Sequence, residues 1–396
     1  MLIFVGLSHL SLCYAAAASL KGFNVGIVDF KNDIENFYSR KFNVFEPKLE
    51  SIIKSKKILI SSDFKIINKA NVIFLSKDLQ TSRANKVNYS EINNLYNKIK
   101  LFKSKKVLVV MSQVQVGYTR KLKWNNLLKF HYVETLIFGQ AIERAMNPER
   151  IIIGKCNHDL KIHKNLLAFL NKFKAPIIEM NYEESELTKG FINTYLASQI
   201  TTTNHLAELA KLYKADWKKI KSALILDRRI GKYGYLQPGL GISGGNIERD
   251  LKTIIEKSKL NKINNSFIFS IFESSDYFKN WIFRTVSKFN NAKFIIGIIG
   301  FAYKENTLSV KNSPQLKFLN NIKNKVLIFD DKLEKYNKNL NLLLDKSDIL
   351  IIFHQLEYLK YINFNKYKNL KYIIDPYKVL NDNKINLKKI KYFTLT

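Results

Sequence analysis

The chain is poor in the residues that cross-link, hinge or break a polypeptide. Two cysteines, Cys13 and Cys156, in 396 residues exclude a disulfide framework and a zinc cage, and point to the reducing cytoplasm. Six prolines and 15 glycines leave little material for flexible linkers, so the domains should abut. The six histidines are scattered without paired spacing, and no metal site is expected. No stretch approaches the roughly 18 consecutive apolar residues of a membrane span, so no membrane insertion is expected. Residues 1–20 are apolar, but they contain Gly6, Ser8 and His9. They also lack a basic leader and run straight into a second strand-like segment, unlike a secretory signal. Acidic residues are scarce too, 33 against 65 Lys and Arg, for a net charge of +32.

That charge invites a nucleic-acid reading, which the distribution argues against. Lysine is spread along the whole chain among Ile, Asn, Phe and Tyr, and no basic block sits beside stacking aromatics on a recognisable binding module. Nucleic acid is therefore not expected as a partner. The excess charge would still draw in a polyanionic small molecule such as a nucleoside diphosphate sugar. With 46% hydrophobic and 25% charged residues the composition is that of a globular protein, and the length predicts two or three domains.

Short apolar runs alternate with helical stretches through the first half. Residues 1–5 (MLIFV), 24–29 (NVGIVD), 71–75, 106–111, 150–153 and 176–179 read as strands, and 10–21 as an Ala-rich helix. This alternation predicts a parallel sheet covered on both faces. From about 185 to 260 the chain reads as helical, with one long helix over 185–213 and a glycine-rich break at 236–245 (LQPGLGISGG). Further strands are expected at 294–300, 325–330, 348–353 and 371–375. The fold class is thus α/β, with two doubly wound domains joined by a helical middle.

A strand ending at Gly6, a helix and a second strand ending at Asp29 form the frame of a dinucleotide-binding βαβ unit. Asp29 lies 23 positions after Gly6, close to the spacing of about 20 for a ribose-hydroxyl acceptor. The fingerprint itself reads Gly6-Leu7-Ser8-His9-Leu10-Ser11, with serines at both later glycine positions. Serine is small and its hydroxyl can donate to a phosphate, and the helix N-terminus keeps its positive dipole end. An ordinary α/β domain without a dinucleotide stays open from this motif alone.

Collinear motifs then cover nearly the whole chain: residues 45–50 (FEPKLE), 112–117 (SQVQVG), 141–142 with 147–154 (AI…NPERIIIG) and 186–189 (ELTK) with Asn193 and Asn204. Residues 227–231 (DRRIG), 300–304 (GFAYK) with Asn306-Thr307, and Ser313-Pro314 continue the series. Together they resemble the UDP-glucose/GDP-mannose dehydrogenase family, the nucleotide-sugar 6-dehydrogenases. The resemblance implies two Rossmann-like domains, NAD-binding over 1–180 and UDP-sugar-binding over 286–396, joined by a central helical dimerisation domain over 181–285. It also implies NAD as cofactor, a UDP-sugar as substrate and a homodimer through the central helix.

In that family a base removes the C6 hydroxyl proton as hydride leaves, a cysteine thiolate captures the aldehyde, and a second hydride transfer gives a thioester that water hydrolyses. The resemblance carries Lys189 and Asn193, one helical turn apart, to the oxyanion-stabilising positions. It carries Glu134 to the general base or water orienter and Asp250 to the aspartate four positions after the nucleophile, with a helix cap or ion pair as Asp250's plainer role. Gly6, Ser8, His9, Leu10, Ser11, Asp29 and Gln113 fall at cofactor-binding positions. Arg229, Tyr235, Gly239, Gly241, Gly244 and Lys304 fall at substrate-binding ones. The departures are pointed. Asn246 stands where the nucleophilic cysteine belongs, Phe138 replaces a second glutamate, Gln113 a threonine and Lys311 an arginine. An amide cannot form the thiohemiacetal, so the second oxidation is in doubt: the enzyme either stops at the aldehyde or oxidises it through its hydrate. The rival readings are a nucleotide-sugar-binding pseudoenzyme or regulatory partner of the same fold, and a transient oxidation serving another internal redox step.

Overall fold

The structure is a computed structural model that describes the chain except residues 40–45, 56–57, 81–86, 103–104, 290, 306, 337–338, 381–384 and 386–387. The matches at Phe45 and Asn306 fall outside the described residues. The chain divides into two compact units, Met1–Ile192 and Asn193–Thr396.

The first unit is built on β1 (Leu2–Val5), β2 (Val25–Val28), β3 (Leu59–Ser61), β4 (Val72–Leu75), β5 (Val107–Val110), β6 (Lys129–Tyr132), β7 (Ile151–Lys155) and β8 (Ile177–Asn181). Their order in the sheet is β3-β2-β1-β4-β5-β6-β7-β8, parallel throughout except for the antiparallel β6–β7 pair. Runs such as VIFL and VLVV are buried along their whole length, as a sheet covered on both faces requires. Alternate residues feed two cores: Phe4, Ile27, Phe74 and Val109 on one face, and Ile3, Val28, Leu75 and Val110 on the other. The chain leaves β1 for opposite sides of the sheet at β2 and β4, so the crevice for a ligand lies at the carboxyl end of β1.

Helix α1 (His9–Leu20) follows that end and is buried over nearly every residue. Its alanines let it lie close against the sheet. The long helix α2 (Tyr182–Leu212) runs for 31 residues and crosses the boundary between the two units.

In the second unit a five-stranded parallel sheet has the order β10-β9-β11-β12-β13. Its strands are β9 (Ile295–Ile299), β10 (Lys325–Phe329), β11 (Ile349–Ile352), β12 (Tyr372–Ile374) and β13 (Lys391–Phe393). Helices α3 (Asn246–Leu260) and α4 (Ser266–Lys279) pack beside the C-terminal part of α2 on a small core of Ala197, Ile242, Leu251 and Ile271.

Three strands escape the sequence pattern: β3, β6 and β13. The first and last have only three residues each. The middle one, β6 (Lys-Phe-His-Tyr), hides behind two polar residues that are nonetheless buried. Lys129 is 1% exposed and donates to the carbonyls of Leu122 at 2.7 Å and Arg120 at 3.3 Å. These bonds satisfy the ammonium inside the protein.

Candidate active site

Gly6 ends β1 with φ +99°, and a Cβ there would lie 2.8 Å from Lys77 Cβ, so only glycine fits. Ser8 caps α1: its hydroxyl accepts from Ser11 N while Ser11 Oγ accepts from Ser8 N, a reciprocal capping box. Ser8 Oγ also donates to the Ser76 carbonyl at 2.8 Å. The serines at the two later glycine positions are therefore spent on the helix start, which corrects the expectation that their hydroxyls face a phosphate. Leu10 N donates to Asp78 Oδ2 at 3.2 Å.

Asp29 is fully buried. Its Oδ2 accepts from Leu7 N at 2.6 Å and from Lys77 Nζ at 2.8 Å, and its Oδ1 from Phe30 N at 2.7 Å. It is not the open acceptor that its spacing suggested. Lys77 also lies 3.2 Å from Asp33 and 3.6 Å from Glu91. Burial works against its charge, but Asp29 and Asp33 outweigh it and hold Lys77 above the ordinary lysine value.

His9 lies beneath this edge, its Nε2 2.8 Å from Glu46 Oε1 and 3.6 Å from Cys13 Sγ. It stacks on Phe138 at 4.3 Å. Glu46 also accepts from Gly139 N and Ala141 N. His9, Cys13 and Glu46 are within ligand distance of one another, a convergence that their spacing in the sequence did not disclose. Burial, then the Glu46 and Asp78 carboxylates, push the Cys13 thiol well up, so it is no nucleophile.

The second cluster in this unit surrounds Lys189 on α2. Its Nζ is 3.0 Å from Glu134 Oε1, with side chains 12% and 13% exposed. The pair lines a recess together with Gln113, Val114, His131 and Glu186. Glu186, one turn before Lys189, accepts from Gly117 N at 2.5 Å and Thr119 N at 2.7 Å, which pins the loop carrying Gln113. His131 is pulled down to about 3 by burial and is neutral, its Nδ1 2.8 Å from Ser185 Oγ.

In the second unit Asn193 Nδ2 donates to Asp250 Oδ2 at 2.6 Å, and Arg249 Nε to Asp250 Oδ1 at 3.2 Å. Asp250 is thus a partnered buried carboxylate. Asn246 is the exposed first residue of α3. The glycine loop is packed for close approach: Gly239 N donates to Asn204 Oδ1, a Cβ on Gly241 would meet the Ser275 carbonyl, and Gly244 faces the Tyr303 ring. Tyr235 N donates to Gln199 and its carbonyl accepts from Thr203. Arg229 is exposed and forked onto Asp227, and Lys304 is exposed.

Sequence profiles of one family match the chain in series: the UDP-glucose/GDP-mannose dehydrogenase family NAD binding domain over residues 1–184 and its central domain over 183–276. The chain belongs to the UDP-glucose/GDP-mannose dehydrogenase family. Members of this family are NAD-dependent oxidoreductases of nucleotide sugars, and this dehydrogenase-family chain carries the NAD-binding domain. A UDP-glucose 6-dehydrogenase of Campylobacter jejuni is 27% identical over 352 residues, covering 87% of this chain and 86% of the relative. An uncharacterised protein of Methanocaldococcus jannaschii is 29% identical over 272 residues, which span 64% of this chain but only 30% of that protein. The solved structure of a UDP-D-ManNAc dehydrogenase from Pyrococcus horikoshii aligns over 100% of this chain and 99% of its own with a TM-score of 0.81 at 20% identity. That likeness establishes the fold.

The frame of the first unit of this family member fits NAD: a βαβ turn at Gly6, the N-terminal end of α1 and an acid at the end of β2. Of the residues at the cofactor positions, Gly6 keeps the close-approach turn, whereas Ser8, Leu10, Ser11 and Asp29 are engaged within the chain. Sequence reasoning missed Lys77, Asp78 and His131, and it gave no role to Glu46 and Glu186, which lie within the 45–50 and 186–189 matches.

Proposed function

We propose that this chain oxidises the C6 alcohol of a UDP-hexose, UDP-glucose or a close relative, to the aldehyde in the synthesis of a surface-polysaccharide precursor. The Glu134–Lys189 pair, 3.0 Å apart and largely buried, carries this reading. A carboxylate and an ammonium held together at a recess can divide the work of the first oxidation. Glu134 takes the hydroxyl proton, and the Lys189 Nζ stabilises the negative charge that grows on oxygen as the proton leaves. NAD, when bound, accepts the hydride. Gln113 lines the same recess and offers an amide to orient a polar substrate group. Asn246 cannot capture the aldehyde as a thiohemiacetal, so a second hydride transfer has only the aldehyde's hydrate to draw on, and the proposed reaction ends after one hydride. In this reading residues 1–180 take the cofactor, 286–396 take the nucleotide sugar with Lys304, and 181–285 contribute Arg229, Tyr235 and the loop of Gly239, Gly241 and Gly244. Asn193 and Asp250 support the sugar-proximal end of α3.

The reading includes a cytoplasmic homodimer. In favour of self-association, α2 exposes Leu187, Phe191, Tyr195, Leu206, Leu209 and Leu212, a concentration of large apolar side chains on one element that marks an interaction surface.

NADH release, followed with purified protein, NAD and a panel of UDP- and GDP-sugars, tests the proposal. One equivalent per sugar is expected, with an aldehyde trapped by a hydrazine. Two equivalents overturn the limit assigned to Asn246. No NADH with any sugar overturns the dehydrogenase reading and leaves the nucleotide-sugar-binding regulatory protein.

A further inference from the structure

The carboxyl edge of the first sheet carries a feature that the proposed oxidation does not use. The two residues after Ser76, at the exit of β4, contact the turn at Gly6, the Asp29 carboxylate and the start of α1. Lys77 packs its backbone and Cβ against Gly6, within 3.0 Å of where a side chain on Gly6 would start. Its Nζ lies on Asp29 Oδ2 at 2.8 Å, the carboxylate oxygen that a ribose diol would need. Asp78 places a carboxylate on Leu10 N at 3.2 Å, in the first turn of α1, where an anion profits most from the helix dipole.

We propose that Lys77 and Asp78 are an internal occupant of the dinucleotide site, so that NAD binds this chain only in competition with them. It rests on the family's use of NAD at this edge, not on the sugar chemistry. The occupant mimics the charge pattern of what it displaces. Asp78 stands in for a phosphate at the helix start, and Lys77 supplies the donor that a ribose hydroxyl would bring to Asp29. Rotamer changes can swing the Lys77 ammonium and the Asp78 carboxylate away from Asp29 and Leu10 N, while the Lys77 backbone stays packed on Gly6. The energetic obstacle is specific. Freeing Lys77 breaks a buried ion pair, side chains 7% and 0% exposed, and leaves Asp29 with its two backbone donors alone. An incoming pyrophosphate also meets the Asp78 carboxylate until that side chain turns away.

A lysine beside the ribose acid could instead recruit a 2′-phosphate, as in an NADP enzyme. The surroundings oppose that. Lys77 is one cation facing Asp29, Asp33 and Glu91, and this excess of carboxylates would repel a phosphate dianion.

Calorimetric titration of NAD, ADP-ribose and NADP into the full chain, without sugar, tests the proposal against Lys77→Val and Asp78→Gly. Each substitution should tighten NAD and ADP-ribose at least tenfold, about 1.4 kcal/mol, with NADP the weakest ligand throughout. The Asp78 variant leaves the Lys77–Asp29 pair in place, so it decides the matter if Lys77→Val does not fold by circular dichroism. Unchanged or weaker NAD binding in folded variants, no binding by any of the three proteins, or tighter NADP than NAD in the parent chain would each overturn it. Because the readout is binding, a chain inactive on every sugar would sink the oxidation and leave this result standing.

Discussion

At the scale of single residues, the two carboxylates that the motifs singled out have different fates. Glu134 is held against Lys189 at a recess, and the proposed oxidation makes turnover depend on this pair. Glu134→Gln keeps the shape and removes the base, and should lower the rate of NADH formation by about 10²–10⁴ with the fold unchanged by circular dichroism. Lys189→Ala should abolish it. Full activity in either variant would mean that the site is wrongly placed. Asp29, by contrast, is a structural acid. Its counterpart in the second unit makes the point: Asp330, after β10, accepts from Phe301 N and Ala302 N, just past Gly300. Burial opposes the Asp330 charge, but those two N–H groups and those of Lys332 and Leu333 hold its carboxyl below the ordinary value. In both units the acid after the second strand first fixes the turn after the first strand.

His131 gives a residue-scale test with a defined sign. Burial lowers it to about 3, below the ordinary value near 6.5. The folded chain keeps it neutral while the unfolded chain protonates it below about pH 6.5. Its contribution is therefore intact above that pH and is lost progressively as pH falls toward 3. Between pH 7 and pH 5 this should cost about 2 kcal/mol of unfolding free energy. Urea titrations at the two pH values should show a smaller difference in His131→Gln than in the parent chain. An identical difference in both would mean that this imidazole does not stay neutral.

At the scale of elements, the site depends on how α2 starts. Ser185 sits in its first turns, fully buried, with its hydroxyl donating to the Tyr182 carbonyl and lying against His131. Gly154 on β7 leaves the space: a Cβ there would run into Ser185 Oγ. Gly154→Ala should therefore cost about 1–3 kcal/mol by overpacking, read as a lower urea midpoint, and adding Ser185→Ala should recover part of it. No loss in the single variant would show that the helix start can move aside. The same turns carry Glu186 to the loop of Gln113 and Lys189 to Glu134, so the double variant should also report on activity.

At the scale of the whole molecule, surface charge and exposed apolar area make separate predictions. The net charge of +32 should steer a nucleoside diphosphate sugar toward the protein at low ionic strength. Its apparent KM should then rise between 50 and 500 mM salt, chiefly through association. A salt-independent KM would confine the charge to solubility. Sedimentation should give a dimer for the parent chain and a monomer for Phe191→Glu with Tyr195→Glu, two exposed positions on one face of α2. A parent monomer would remove the dimer. Among the described residues no helix is long and apolar enough to cross a membrane.

Much of the architecture was legible in the order of residues, because buried parallel strands are short unbroken apolar runs. VIFL, VLVV and IIGII sit where those runs predict, and the 31-residue helix begins within three residues of its expected start. Lys189 and Glu134 were legible only as members of a collinear series, and their meeting at 3.0 Å was not. The strand at Lys129–Tyr132 stayed hidden because a lysine can be buried once carbonyls surround its ammonium. The dinucleotide edge shows the division most clearly. Local order determined a glycine turn, a capped helix and an acid at the end of β2. Only the tertiary structure decided that residues 77 and 78, about 70 positions after Gly6, fill that edge with their own charges. Spacing along the chain reports a strand or a helix, whereas an ion pair between distant segments exists only once the sheet has set their strands side by side.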